Sequence, residues 1–228
     1  MSKWLELKEK IQSIPEKERR KNLVGKLAHY SRKTTETRNS LAQSSQSHRC
    51  SQSVFPEGNF QRGADQLRKA ASAARTLHKK LIKQIESVET DSSEEKFRTI
   101  DEYAKAAHKS LKEQWNDLLS NRVADFEKLV KAASGANLTG SKNLTEILSR
   151  LRAQVMSPPD NEDAAKCIAA DLESLKNSVS TLGLEGRVGE FLVAAAEGRG
   201  DPKDLGNPQI VAFIEGHKLW NLLSVKLR

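Results

Sequence analysis

The sequence predicts an all-α protein: an elongated helical bundle built on one long antiparallel helical hairpin, with a small C-terminal module. Apolar residues recur at three- and four-residue spacing over long stretches, which is the pattern of amphipathic helices. Alternation of β-branched and polar residues, which is typical of strands, is almost absent before residue 219. The residues are 30% charged, 37% hydrophobic and 5% aromatic, which favours thin helical layers over a thick globular core.

Residues 1–38 are predicted to form a basic pair of helices. An apolar face from Trp4 to Ile14 indicates a short first helix, and Pro15 in a capping sequence starts the second. Eleven lysine and arginine residues stand here against five acidic residues. The following residues, 39–62, are rich in serine and glutamine and lack apolar periodicity, so they are predicted to form a flexible polar linker.

The hairpin itself is predicted over residues 63–133. Its first arm carries one row of residues at helical spacing: Ala64, Leu67, Ala71, Ala74, His78, Leu81, Ile85 and Val88. An acidic turn over residues 90–95, in which Ser92 caps the next helix, separates the arms. The second arm runs from Phe97 to Ala133 with the same apolar spacing. Such rows are typical of helices that lie along one another at a shallow angle.

Further helices are predicted to pack on the hairpin, giving a domain over residues 63–182. Residues 161–182 repeat the apolar spacing and are predicted to be the third long partner of the hairpin. Residues 183–228 contain seven glycines and form the predicted C-terminal module, which either folds back or docks onto a partner. Apolar and polar residues alternate over 223–228, a pattern compatible with a single edge strand.

No arrangement of residues indicates catalysis, a metal or a cofactor. Cys50 and Cys167 are far apart, and the five histidines lack the spacing of metal ligands. Residues 135–142 have the glycine spacing of a phosphate-binding loop, but Ser141 precedes Lys142, and the lysine must directly follow the second glycine. We therefore expect a non-enzymatic protein with no cofactor and no small-molecule substrate.

The apolar segments of the chain are short. The first residues contain no apolar signal segment, and no apolar run approaches the length of a membrane span. These features predict a cytoplasmic protein that does not engage a membrane.

A basic stripe is one candidate functional surface. Its candidate residues for nucleic-acid binding are Lys17, Arg19, Arg20, Lys21, Lys26, Arg32, Lys33, Arg68, Lys69, Arg75, Lys79 and Lys80. Positioned cations of this kind can follow the phosphates of a nucleic acid. No aromatic stacking platform and no known DNA-binding motif accompanies them, so a solvated basic face is the open alternative.

The apolar rows are the other candidate surface. The candidate residues for a protein interface are Leu67, Ala74, His78, Leu81, Ile85, Phe213, Trp220 and Leu223. Long apolar stripes on thin arms favour a protein partner, in a hetero-complex or a homo-oligomer. The leading hypothesis is thus a non-enzymatic adaptor or accessory subunit of a larger assembly. The alternative is a nucleic-acid-binding subunit that uses the basic stripe, for example in a bacterial defence or DNA-processing complex.

Overall fold

The computed structural model describes residues 3–12, 17–83 and 90–222, and every regular element in these ranges is helical. The α-helices are α1 (Lys3–Gln12), α2 (Lys17–Val54), α3 (Gln61–Lys83), α4 (Thr90–Gly135), α5 (Ser141–Gln154), α6 (Glu162–Thr181), α7 (Gly186–Ala196) and α8 (Pro208–Gly216). Two short 3-10 helices, Pro202–Gly206 and Leu219–Leu222, flank α8. The predicted all-α class is confirmed.

The chain forms two compact units, Met1–Gln114 and Trp115–Arg228, and the boundary between them lies within α4. The boundaries predicted from the sequence are different, since they assign residues 63–182 to one domain and residues 183–228 to another. The predicted edge strand, at 223–228, lies outside the described residues.

In the N-terminal unit, three helices pack around one apolar core. Its buried residues are Tyr30 from α2, Ala70, Leu77 and Leu81 from α3, and Phe97 and Ile100 from α4. The rings of Tyr30 and Phe97 stack with their centroids 6.0 Å apart. Residues late in α3 therefore meet residues early in α2 and α4, so α3 runs antiparallel to both. The third helix of this core is α2, not the predicted segment 161–182, and α1 lies against α2 and α3.

Helix α2 continues through the segment predicted as a flexible linker, so that prediction is wrong for residues 39–54. This part of α2 is packed rather than solvated: Ser47 and Ser51 are 6% and 0% exposed. One hydroxyl group in it bonds locally: Ser53 Oγ donates a hydrogen bond of 2.7 Å to the carbonyl oxygen of Cys50. The buried residues of this segment are Ser47, Cys50 and Ser51, which are small and give little hydrophobic signal.

Small residues are also buried on α3 and α4. Ala70 of α3 and Ala104 and Ala107 of α4 are buried. A Cβ atom on Gly63 would lie 3.5 Å from the carbonyl oxygen of Ala107 and 3.6 Å from a ring carbon of His48. The three helices therefore come together at Gly63, and small side chains let their backbones approach closely.

The buried face of α3 differs from the predicted row. Leu77 is 2% exposed, whereas its neighbour His78, which was predicted to lie in the row, is exposed. Ala64, Leu67, Ala71 and Ala74 are half-buried at the margins of this face. Leu81 of the predicted row is buried, but the centre of the buried face lies about 60° around the helix from the centre of that row.

The start of α4 also corrects the prediction. The helix begins at Thr90, so residues 90–95, predicted as an acidic turn capped by Ser92, are helical. Ser93 in this first part is 1% exposed. The connection to α3, residues 84–89, lies outside the described residues.

In the C-terminal unit, α5 and α6 lie against each other and an ion pair joins them, with Arg150 Nη2 2.6 Å from Asp171 Oδ1. The side chain of Asn161 caps α6 by accepting a hydrogen bond of 2.8 Å from the backbone amide of Ala164. Trp115, at the start of this unit, is 0% exposed. Helices α7 and α8 pack together within the same unit.

Candidate nucleic-acid interface

Helix α3 is strongly basic, with seven arginine and lysine residues and one aspartate among its 23 residues. Its sequence is well suited to a helix, because it contains five alanines. The side chain of Asn59 accepts a hydrogen bond of 3.2 Å from the backbone amide of Gln61, the first residue of the helix. Phe60, 3% exposed, anchors this end in the core. The local sequence therefore fixes where the basic helix begins.

Two cation rows run along the outer side of α3. They are Arg68, Arg75 and Lys79 in the first row, and Arg62, Lys69 and Lys80 in the second. Lys80 is half-buried, and the other five side chains are exposed. At about 100° per residue, the first row lies opposite the buried Ala70, and the second row lies about 110° around the helix from the first. One helix thus presents cations on two flanks.

A central strip of small hydroxyl residues, Ser72 and Thr76, lies between the cation rows. Both are exposed, and Thr76 Oγ1 donates a hydrogen bond of 3.0 Å back to the carbonyl oxygen of Ser72. Asp65 lies two turns before Ser72, in line with the strip, and pairs with Arg68, with Nη1 2.9 Å from Oδ1. The strip therefore separates the rows without projecting beyond them.

Most of these cations are not engaged within the unit. Among the described residues, Arg62, Lys69, Arg75 and Lys79 make no ion pair and no side-chain hydrogen bond. Their charges therefore face solvent, where they are available to an anionic partner.

The basic residues of α2 do not extend the cation rows along a single face. Lys21 and Arg32 are exposed on one side of α2, whereas Lys26 and Lys33 fall about 120° away. Lys33 is committed to an ion pair, with its Nζ 3.1 Å from Oε2 of Glu94. The side chains of Lys17, Arg19 and Arg20 lie outside the described part of the chain. The predicted cations of α3 thus lie in two neighbouring rows, whereas the four described ones of α2 lie on different sides of their helix.

Glu94 joins α2 to α4. His29 Nε2 lies 2.6 Å from Glu94 Oε1, and Lys33 donates to Oε2. The hydrogen bond from His29, and next that from Lys33, holds the pKa of the Glu94 carboxyl below its usual value. This junction borders an open concavity of about 540 Å³, lined also by Arg98 and Asp101. The lining of the concavity contains both acidic and basic side chains. The junction therefore holds α2 and α4 together and is not suited to bind an anion.

The predicted protein-interface residues are mostly used inside the fold. Leu81 and Phe213 are buried, with 1% and 8% exposure. Leu67 and Ala74 are half-buried in the N-terminal unit, while His78 and Trp220 are exposed. The remaining two, Ile85 and Leu223, lie outside the described residues. The apolar row of α3 therefore packs partly against its own unit and is not a continuous free stripe.

The described residues were compared with the requirements for a metal site, a disulfide and a membrane-spanning helix. No group of three or more His, Cys, Asp or Glu residues among them could hold a metal ion. Cys50 is buried and Cys167 is exposed, and neither forms a disulfide. Over the ranges that the structure describes, no helix combines the length and the apolar character needed to cross a bilayer.

Arg62 is the one member of the cation rows that sequence reasoning missed. The predicted hairpin starts at Gly63, which leaves Arg62 in the supposed linker. Its spacing from Lys69 is seven residues, two helical turns, and this spacing was a signal that could have placed it in the second row.

Comparison with known proteins identifies no relative: no protein-family model, no curated protein and no solved structure matches this chain.

Proposed function

We propose that the chain is a non-enzymatic nucleic-acid-binding protein that engages phosphates through the cation rows of α3. The observation that carries the proposal is the concentration of exposed cations on one helix, four of them without an ion pair among the described residues. Asp65 is the single acidic residue of this helix, and Arg68 already neutralises it.

The physical basis is the release of counterions. A nucleic acid carries a condensed layer of cations, and each phosphate that a lysine or arginine neutralises releases part of this layer. The affinity then falls linearly with the logarithm of the salt concentration, with a slope of about −0.9 for each phosphate contacted on duplex DNA. Such binding needs positioned charges and no pocket, which suits an exposed helix.

The test is Arg75→Gln combined with Lys79→Gln, measured by fluorescence anisotropy with labelled DNA over a series of salt concentrations. We expect the affinity to fall about 10- to 50-fold near 0.1 M salt and the salt slope to shrink by about 1.8, because two phosphate contacts are lost. Both residues are exposed, so the fold should be unaffected.

The matched control is Lys166→Gln combined with Lys176→Gln on α6, where both lysines are exposed and the change in net charge is the same. This variant should bind as the wild type does. If the wild type does not bind at about 0.05 M salt, or if both variants lose affinity equally, α3 is not a phosphate-binding helix.

A protein adaptor is a second candidate function, favoured by the C-terminal unit. Met156 and Trp220 are large apolar side chains that are 58% and 47% exposed. An open cleft of about 480 Å³ in the same unit is lined in part by Leu129, Leu184 and Val193. Exposed large apolar groups of this kind are enriched at protein interfaces.

The adaptor function predicts a partner that depends on these side chains. The full chain, immobilised and exposed to a native cell lysate, should retain a specific protein that Met156→Ser combined with Trp220→Ser loses. The α6 lysine variant serves as the control and should retain it. Capture of no protein by the wild type would contradict an adaptor role.

A further inference from the structure

We infer that the nucleic acid bound by α3 is B-form duplex DNA, with α3 lying in the major groove and one cation row facing the phosphates of each strand. This inference rests on the proposed function and adds the form of the partner. It follows from three features: the angle between the cation rows, the size of the central strip, and the burial or half-burial of the described phenylalanine and tyrosine rings of the N-terminal unit.

The angle between the rows suits a groove with two phosphate walls. The rows lie about 110° apart around α3, so their long side chains point to opposite flanks of the helix. The major groove of B-form DNA is about 12 Å wide and admits one α-helix. A single strand offers one line of phosphates, which would engage one row and leave the other unused.

The central strip determines how closely α3 can approach the base edges. Ser72 and Thr76 are small and exposed, so the backbone can descend between the phosphate walls while the rows remain in contact with them. Serine and threonine hydroxyls can bond to any of the base edges. No arginine, asparagine or glutamine lies in the strip, so we expect little dependence on base sequence.

Binding by stacking or by insertion into a membrane is disfavoured by the apolar side chains. The described phenylalanine and tyrosine side chains of the N-terminal unit are buried or half-buried: Tyr30, Phe55, Phe60, Phe97 and Tyr103. Single-strand binding without sequence preference usually relies on exposed rings of this type. The outer face of α3 also lacks the large apolar residues that an interfacial helix inserts into lipid.

The experiment compares four ligands by anisotropy at one salt concentration: two duplex DNAs of about 20 base pairs with unrelated sequences, one of their single strands, and the RNA duplex of the same sequence. We expect the DNA duplexes to bind about tenfold more tightly than the single strand and within about threefold of each other. The RNA duplex should bind more weakly than DNA, because its major groove is too deep and narrow to admit a helix.

A second variant tests the seating of the helix in the groove. Ser72→Leu combined with Thr76→Leu fills the central strip and keeps every cation. It should lower duplex affinity to the level of the single strand and leave single-strand affinity unchanged. The matched control is Ser174→Leu combined with Thr181→Leu at exposed positions of α6, which should keep the duplex preference.

The outcomes separate the inference from the proposed function. Equal or tighter binding of the single strand or the RNA duplex, or a duplex preference that survives in the strip variant, would overturn the duplex-DNA inference and leave nucleic-acid binding intact. Failure of the wild type to bind any of the four nucleic acids would overturn both.

Discussion

Trp115→Ala should lower the free energy of unfolding of the C-terminal unit by about 3 to 5 kcal/mol, the range observed when a large buried aromatic residue is truncated. Trp115 is 0% exposed, so its removal leaves a cavity that the surrounding helices can fill only in part. Its indole Nε1 also donates a hydrogen bond of 2.9 Å to the carbonyl oxygen of Gln154, at the end of α5. The substitution thus removes both packing and the bond that ties α5 to α4.

Denaturant unfolding followed by circular dichroism measures this loss, and Trp115→Phe separates its two components. Phenylalanine keeps most of the ring volume and leaves the Gln154 carbonyl without its donor, so we expect a smaller loss of about 1 to 3 kcal/mol. The chain has two compact units, so the transitions should be fitted separately if they do not coincide. A loss below about 1 kcal/mol for the alanine variant would show that Trp115 is not a core residue.

The second large effect is expected at Gly189, where a single methyl group should be destabilising. A Cβ atom at this position would lie 2.2 Å from the carbonyl oxygen of Leu184 and 3.1 Å from Cδ1 of Leu129. The first neighbour is backbone and cannot move aside without displacing the start of α7. Overpacking of this kind costs about 1 to 3 kcal/mol, and we expect Gly189→Ala to lie at the upper end.

Gly25→Ala is the matched control for this prediction. Gly25 lies in the interior of α2, and a Cβ atom there would meet no atom within 4 Å in the described structure. Alanine should therefore stabilise the protein by up to about 1 kcal/mol, the usual gain from replacing an exposed helical glycine. In thermal unfolding, a lower Tm for Gly189→Ala and an unchanged or higher Tm for Gly25→Ala would support close packing at α7. A change of Tm in the same direction for both variants would contradict it.

The helical class and the pairing of α3 with α4 could be predicted from the sequence, because both helices bury apolar side chains at regular spacing. Phe97, Ile100, Leu111 and Trp115 all lie in the predicted row of α4 and are buried. In α3 the prediction failed in detail, because alanines lie on several sides of the helix and do not distinguish the buried face. Leu77 occupies the position that His78 was expected to take.

The course of α2 could not be predicted, because hydrophobic periodicity does not detect a buried face made of serine and threonine. Thr37, Ser47 and Ser51 are buried, although serine and threonine are mostly exposed in proteins. The predicted linker also extended to residue 62. Arg62 was therefore assigned to the linker, although it lies in the same cation row of α3 as Lys69. Five of the six cations in the rows were nevertheless identified, because lysine and arginine on a helix are exposed unless paired.

The small-residue contact among α2, α3 and α4 has a consequence for how this region tolerates substitution. Ser47, Ser51, Ala70 and Gly63 are small and buried, so the volume of the side chain is constrained at each of them. Larger apolar side chains at these positions, such as leucine or valine, would push the helices apart. Exchange among glycine, alanine and serine keeps the spacing between the helix axes. At Gly63, where a Cβ atom would lie 3.5 Å from the backbone of α4, alanine is therefore the largest side chain that we expect to fit without displacing a helix.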